Sequence, residues 1–185
     1  MKNKIGIREV VAMGIGTALF VVLTNAQIPL IFVPNTALQP RMAILAFLAA
    51  VFGPIVGAVV GLLGHALGDA LFYGSVWWSW VFPEAVVGIA VGLFANKFAV
   101  KEGRFVSGRN IAMFNIVQVI ANAVAWIVVA PVLDIAVYSE PANKVFVQGA
   151  FAFLGNIIIV GILGTILLIA YSKIAGRSSE LKAED

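Results

Sequence analysis

The chain has 185 residues, of which 62% are hydrophobic and only 11% charged, with a mean hydropathy of +1.04 and a formal charge of +3. A soluble domain carries about 25% charged residues, so this composition excludes a soluble globular protein and points to an all-α integral membrane protein. At about 20 apolar residues per helical crossing, the length allows about six spans and leaves no room among these residues for a soluble catalytic domain. With no Cys and only His65, disulfides, thiolate sites and a multi-His metal centre are excluded, and no metal or cofactor is expected.

The first predicted helix spans about 9–26. Its basic start followed by an apolar run is similar to a signal peptide, but the further apolar runs favour a retained helix. Ala12, Gly14, Gly16 and Ala18 form two overlapping small-x-x-x-small pairs, which let another helix approach closely, inside this protein or on a different one. Three prolines, Pro29, Pro34 and Pro40, keep the next stretch, 27–40, out of a helix. Its apolar residues alternate, so it is expected to fold back over the protein, as a lid or a plain connector.

The second helix, about 41–52, is short for a full crossing. Gly53-Pro54 breaks the chain before a third helix at about 55–72, which carries a glycine edge and ends on His65 and Asp69, four residues apart on one face. That pair reads as a structural hydrogen bond, a ligand contact or a proton relay. Trp77, Trp78 and Trp80 follow, and suit either an interfacial belt or flat walls for a ring-shaped ligand. The fourth helix spans about 81–95, with Pro83 in its first turn. Glu84 lies just inside it, where an unpaired carboxylate costs about 2.5–3.5 kcal/mol if placed centrally. It is expected to pair or to bind ligand.

A basic connection leads to the fifth helix, about 111–130, on which Asn115, Gln118, Asn122 and Trp126 fall within roughly one quarter of the circumference. Hydrocarbon offers this stripe no hydrogen-bond partner, so it must face other helices or a cavity. It leads to a polar stretch at 131–144, containing Asp134, Tyr138, Glu140 and Asn143, expected to be a loop. The sixth helix spans about 144–171, with Gln148 and Asn156 on its first half, and a charged tail, 172–185, is expected to fray.

Lys and Arg fix an expected orientation. Lys2, Lys4, Arg8, Lys97, Lys101, Arg104, Arg109, Lys173, Arg177 and Lys182 fall on one side of a six-span arrangement, and only Arg41 and Lys144 on the other. The positive-inside rule then makes both termini cytoplasmic in a cell membrane. The polar and aromatic groups converge from separate segments on the outward half. No phosphate-binding Gly-Lys loop, His-Glu-x-x-His or evident Ser–His–Asp arrangement occurs, so neither ATP binding by that loop nor an enzyme is supported. Nothing points to nucleic acid.

The segments Phe52-Gly-Pro-Ile-Val-Gly57, Gly64-His-Ala-Leu-Gly-Asp69, Tyr73-Gly-Ser-Val-Trp77-Trp78, Phe114-Asn-Ile-Val-Gln118 and Val137 to Phe146 resemble the substrate-capture (S) components of energy-coupling factor (ECF) vitamin transporters. Within that family they look similar to a subgroup linked to hydroxymethylpyrimidine. The resemblance implies a six-helix membrane protein that binds a vitamin or vitamin precursor outside and delivers it inward with a T subunit and two ABC-type ATPases. It also implies docking to the T subunit through small residues of the first helix, here Ala12 with Gly16 or Gly14 with Ala18. For a flat heteroaromatic alcohol, Trp77, Trp78 and Trp126 would stack. Asn122, Tyr138, Asn143 and Gln148 would hydrogen-bond, and Glu84 or Asp134 would accept from an amine. Two other classes compete: a solitary proton-coupled transporter using His65, Asp69 and Glu84, and a ligand-free membrane scaffold.

Overall fold

A computed structural model describes residues 5–181. Lys2, Lys4 and Lys182, which entered the charge count above, lie outside the described residues. Helix α1, Ile7–Leu23, runs into a single 3-10 turn at Thr24–Ala26. It turns Ala12, Gly16 and Phe20 inward, four residues apart, while Val11, Ile15 and Val22 stay exposed. The 27–40 segment does fold back: strands β1, Ile28–Pro29, and β2, Ala37–Leu38, pair antiparallel with Ile28 opposite Leu38.

Helix α2, Arg41–Phe52, is about 18 Å long at 1.5 Å per residue, well short of a bilayer core. It is wrapped by the others, and nearly all of its side chains are buried. Gly53, at φ 95°, makes the turn into α3, Pro54–Phe72; that conformation disfavours any residue with a Cβ. Helix α4, Trp78–Gly92, packs against α3 backbone to backbone. A Cβ on Gly57 would run into the Gly88 carbonyl, and one on Gly61 would lie 2.8 Å from the Glu84 carbonyl oxygen. The glycine edge is therefore an internal seam.

Helix α4 begins three residues earlier than the sequence suggests, so Pro83 lies in its interior and not in its first turn. The short α5, Ala95–Phe98, leads to α6, Gly108–Ala123, whose Ser107 cap accepts the Asn110 N–H at 3.3 Å. The largest correction follows. The 131–138 stretch expected as loop is helical: α6 continues through a π turn, Val124–Val129, into α7, Ala130–Tyr138. Proline scores as a breaker because it lacks an N–H. Here the helix has already switched register, with the Ala130 N–H donating to the Ala125 carbonyl. The Trp126 carbonyl, which residue 131 would serve in that register, faces the Cα of Gly149 instead.

After a break at 139–141, α8, Ala142–Ile159, a second π turn, Val160–Gly164, and α9, Thr165–Leu181, form one long helix. The expected frayed tail is thus helical as far as residue 181. Ser172 is buried there and accepts the Phe105 N–H at 3.1 Å, which ties this end to the 99–107 connection. Among the described residues, four helices are long and apolar enough to cross a membrane, over residues 7–26, 54–72, 108–138 and 142–177; α2 and α4 are shorter apolar helices. Large apolar side chains cover the outside, among them Ile15, Leu63, Ile116 and Ile162. In water such a surface would be prohibitive; against lipid it is the expected one.

Candidate functional site

A cavity of about 530 Å³ lies at the end of the bundle where α1 and α3 finish and where α2, α4 and α8 start, with the β1–β2 hairpin across it. Its floor is a buried charge network. Arg41, the first residue of α2, is 3% exposed, and Glu84 on α4 is fully buried. The guanidinium Nη2 stands 3.1 Å from Glu84 Oε1, Nη1 donates to Thr24 Oγ1 at 2.9 Å, and Nε donates to Gln39 Oε1 at 2.8 Å. Its plane also covers the Phe20 ring at 4.7 Å. His65 sits between two carboxylates, with Nε2 3.3 Å from Asp69 Oδ1 and Nδ1 3.2 Å from Glu84 Oε2. The latter approach lacks hydrogen-bond geometry, so both atoms are buried without a hydrogen bond. Asp69 Oδ2 also accepts the Trp77 backbone N–H at 3.1 Å.

One wall is built around Asp134 of α7. Oδ1 accepts the Trp77 indole N–H at 2.7 Å and the Ser79 hydroxyl at 2.5 Å, and Oδ2 accepts the Trp80 indole N–H at 3.0 Å. These neutral donors gather the start of α4 onto α7. Trp80 and Trp126 then stand with ring centroids 5.6 Å apart, and Trp77 and Tyr138 at 4.7 Å. Opposite this wall, Gln148 of α8 donates to the Pro34 carbonyl at 2.8 Å. Gln27 donates to the Tyr73 hydroxyl at 2.5 Å. These two bonds pin the hairpin over the cavity from either side.

Of the nine residues given a ligand-binding role from the sequence, Trp77, Trp126, Asp134 and Gln148 line the cavity, as do His65 and Asp69, read there as a pair. Glu84 lies beneath its floor and reaches it only through Arg41 and His65. Asn122 stands behind the wall: its Oδ1 accepts the Trp126 indole N–H at 3.1 Å, and its amide donates to the Gln118 carbonyl at 2.9 Å. The rest of that stripe turns to α8 and α9, with Asn115 donating to Thr165 Oγ1 at 3.1 Å and Gln118 to the Ile157 carbonyl at 3.3 Å. Only its Trp126 end reaches open space. Tyr138 backs Trp77 and accepts the Trp78 N–H at 3.1 Å, while Trp78 packs on Phe82 away from the cavity. Asn143 is exposed on the outside of α8 and is not part of the lining.

Sequence reasoning missed Arg41, named Trp80 as a candidate wall without carrying it into the stacking set, and left Asn156 and Lys144 unassigned to the site; all four line the cavity. A charged residue opening a short apolar helix was a signal for Arg41, and Trp80 belonged to the conspicuous tryptophan cluster. On α1 the two small-residue pairs separate. Ala12 and Gly16 are buried, and a Cβ on Gly16 would strike Leu48 and Val60. Gly14 and Ala18 are exposed, with nothing within 4 Å of a Cβ built on Gly14.

A family model described as ECF-type riboflavin transporter, S component, matches residues 4–173 of the chain. Among curated proteins, a UPF0397 protein of Exiguobacterium sp. is 49% identical over 183 residues, covering 98% of this chain and 99% of the relative. One from Streptococcus gordonii is 48% identical over 178 residues, covering 96% and 95%, and one from Clostridium perfringens is 44% identical over 183 residues, covering 99% and 98%.

Proposed function

Because the chain belongs to the ECF-type riboflavin transporter S-component family, we propose that it is the membrane-embedded capture subunit of an ATP-driven importer. It takes a vitamin or vitamin precursor from outside, hydroxymethylpyrimidine in the first instance, and delivers it inward with a T subunit and two ABC-type ATPases. The observation that carries this reading is the cavity of about 530 Å³, walled by tryptophans and floored by buried polar groups. Its size and its few convergent polar groups suit a small molecule. A scaffold without a ligand would fill such a space with side chains.

In this reading the chain crosses the cell membrane six times, the short α2 and α4 completing their crossings with the segments that lead into them, and both termini are cytoplasmic. Arg8, Lys97, Lys101, Arg104, Arg109, Lys173 and Arg177 then face the cytoplasm, in keeping with the positive-inside rule. The cavity opens outward, and Trp77, Trp80 and Trp126 form the stacking walls. Gly14 and Ala18 are the pair that meets the T subunit, since Ala12 and Gly16 are already occupied within the fold.

The test is a binding screen on purified full-length protein by tryptophan fluorescence, with hydroxymethylpyrimidine, thiamine, pyridoxine, riboflavin and pantothenate. Tight quenching by one compound, together with co-purification of a T subunit and ATPases, is expected. Silence from the whole panel with protein of verified fold, and no co-purifying ATPase, sinks the proposal. Uptake by this chain alone that a protonophore abolishes would instead favour the proton-coupled class.

A further inference from the structure

We infer that the cavity selects a positively charged flat ring over a neutral or anionic one, so that hydroxymethylpyrimidine, neutral as the free base, would enter as its ring-protonated form. The inference rests on the capture reading above and specifies the chemical class of ligand. Its first support is charge. Arg41 is matched by Glu84 at 3.1 Å, and Lys144 by Glu140 at 2.6 Å, so both cations at the cavity are already compensated. Two further carboxylates, Asp69 and Asp134, line the same space and are 6% and 2% exposed. Among the described residues Asp69 has His65 as its ion-pair partner, while Arg41 is already engaged by Glu84. Asp134 accepts from neutral donors alone. Counted together with Glu84 beneath the floor, the site therefore keeps a negative excess even when His65 is protonated. An uncompensated buried carboxylate is costly, and a cationic ligand would offset that cost.

The second support is the shape and electronics of the wall. Trp77, Trp80 and Trp126 all line the cavity. Tryptophan is the best side chain for attracting a cation to its ring face, and desolvation strengthens the effect. Two of these indoles donate their N–H to Asp134. A carboxylate on the N–H polarises the indole and raises the electron density of its π face. Asp134 thus acts twice, as net charge near the ligand and as an electron-donating anchor for the rings that would stack on it. A neutral ring gains only the stacking. An anion loses on both counts.

The experiment measures affinity on the full chain in nanodiscs by tryptophan fluorescence and calorimetry. The probes are thiamine, which carries a permanently cationic ring, riboflavin, which is neutral, and pantothenate, an anion. Matched pairs of pyridines and their N-methylpyridinium salts are added, so that charge changes with little change of shape. The expected result is a preference of at least about tenfold for the cationic member. Two variants of opposite sign test the cause. Asp69→Asn should shrink that ratio, and Lys144→Gln, at a half-exposed position, should enlarge it. A tightest binder that is anionic, or whose ring neither carries a fixed positive charge nor takes up a proton, overturns the inference and leaves capture intact, as does a ratio that neither variant moves. Absence of any binding removes both readings together.

Discussion

Replacing Arg41 by Met tests whether the charge network under the cavity holds the fold. The substitution keeps length and apolar stem and removes the guanidinium. At an effective dielectric of about 20, unit charges 3.1 Å apart attract by about 5 kcal/mol. Glu84 is fully buried and has no access to water that would replace the loss. Breaking a buried pair from one side costs about 3–5 kcal/mol, whereas replacing both members by neutral groups is often tolerated. For a chain of this length each kcal/mol corresponds to about 2–4 °C, so R41M should lower the Tm by about 6–20 °C. The double variant Arg41→Met/Glu84→Gln should recover most of that. Thermal unfolding of the detergent-solubilised protein, followed by fluorescence, reads both. The reasoning is refuted if R41M melts within about 2 °C of the native protein, or if the double variant is no more stable than the single one.

Other expectations follow from the same packing. Gly88→Val should cost about 1–3 kcal/mol or prevent folding, because the α3–α4 seam has no room for a side chain. Gly14→Leu should leave the Tm unchanged and reduce recovery of the T subunit and ATPases in pull-downs, since the site is open in the free chain. Asn122→Leu removes the acceptor of the Trp126 indole N–H and should cost about 1–3 kcal/mol, with a shift in the near-ultraviolet circular dichroism of the tryptophans. Gln148→Leu frees the Pro34 carbonyl and should speed hydrogen exchange in the 28–38 hairpin without affecting the helices.

The helices were legible because the membrane imposes one solution on apolar runs: backbone groups must pair within the segment. Helix α2 falls on the residues expected, and α3 begins one residue earlier. What failed was punctuation. From the sequence Pro83 suits a first turn and Pro131 the start of a loop, yet both lie within continuous helical runs. For Pro131 the change of register had removed the conflict beforehand, and a window of residues gives no sign of a π turn. The site was legible as a place more than as a set of roles. Glu84 was expected to need a partner, but nothing in composition joins it to Arg41, 43 residues earlier in the chain. Asn122 and Trp126 were correctly seen on one face. Their division into support and lining depends on how α6 meets α8, which periodicity does not reveal.

The π turn at Val124–Val129 also sets angular phase. In an unbroken α-helix Asp134 would lie about 80° around the axis from Trp126, since eight residues at about 100° each overshoot two full turns. A turn that absorbs one extra residue brings the offset back to about 20°. Both side chains then look toward α4, and Asp134 can reach the two indoles and Ser79. The wide turn works as a one-residue shim between two halves of a helix. The anchor of the aromatic wall is therefore encoded by residue number as well as by residue type. Deleting a single apolar residue from this turn would close it to an ordinary α-helix of the same phase, seven residues at about 100° each, so Asp134 should keep its donors.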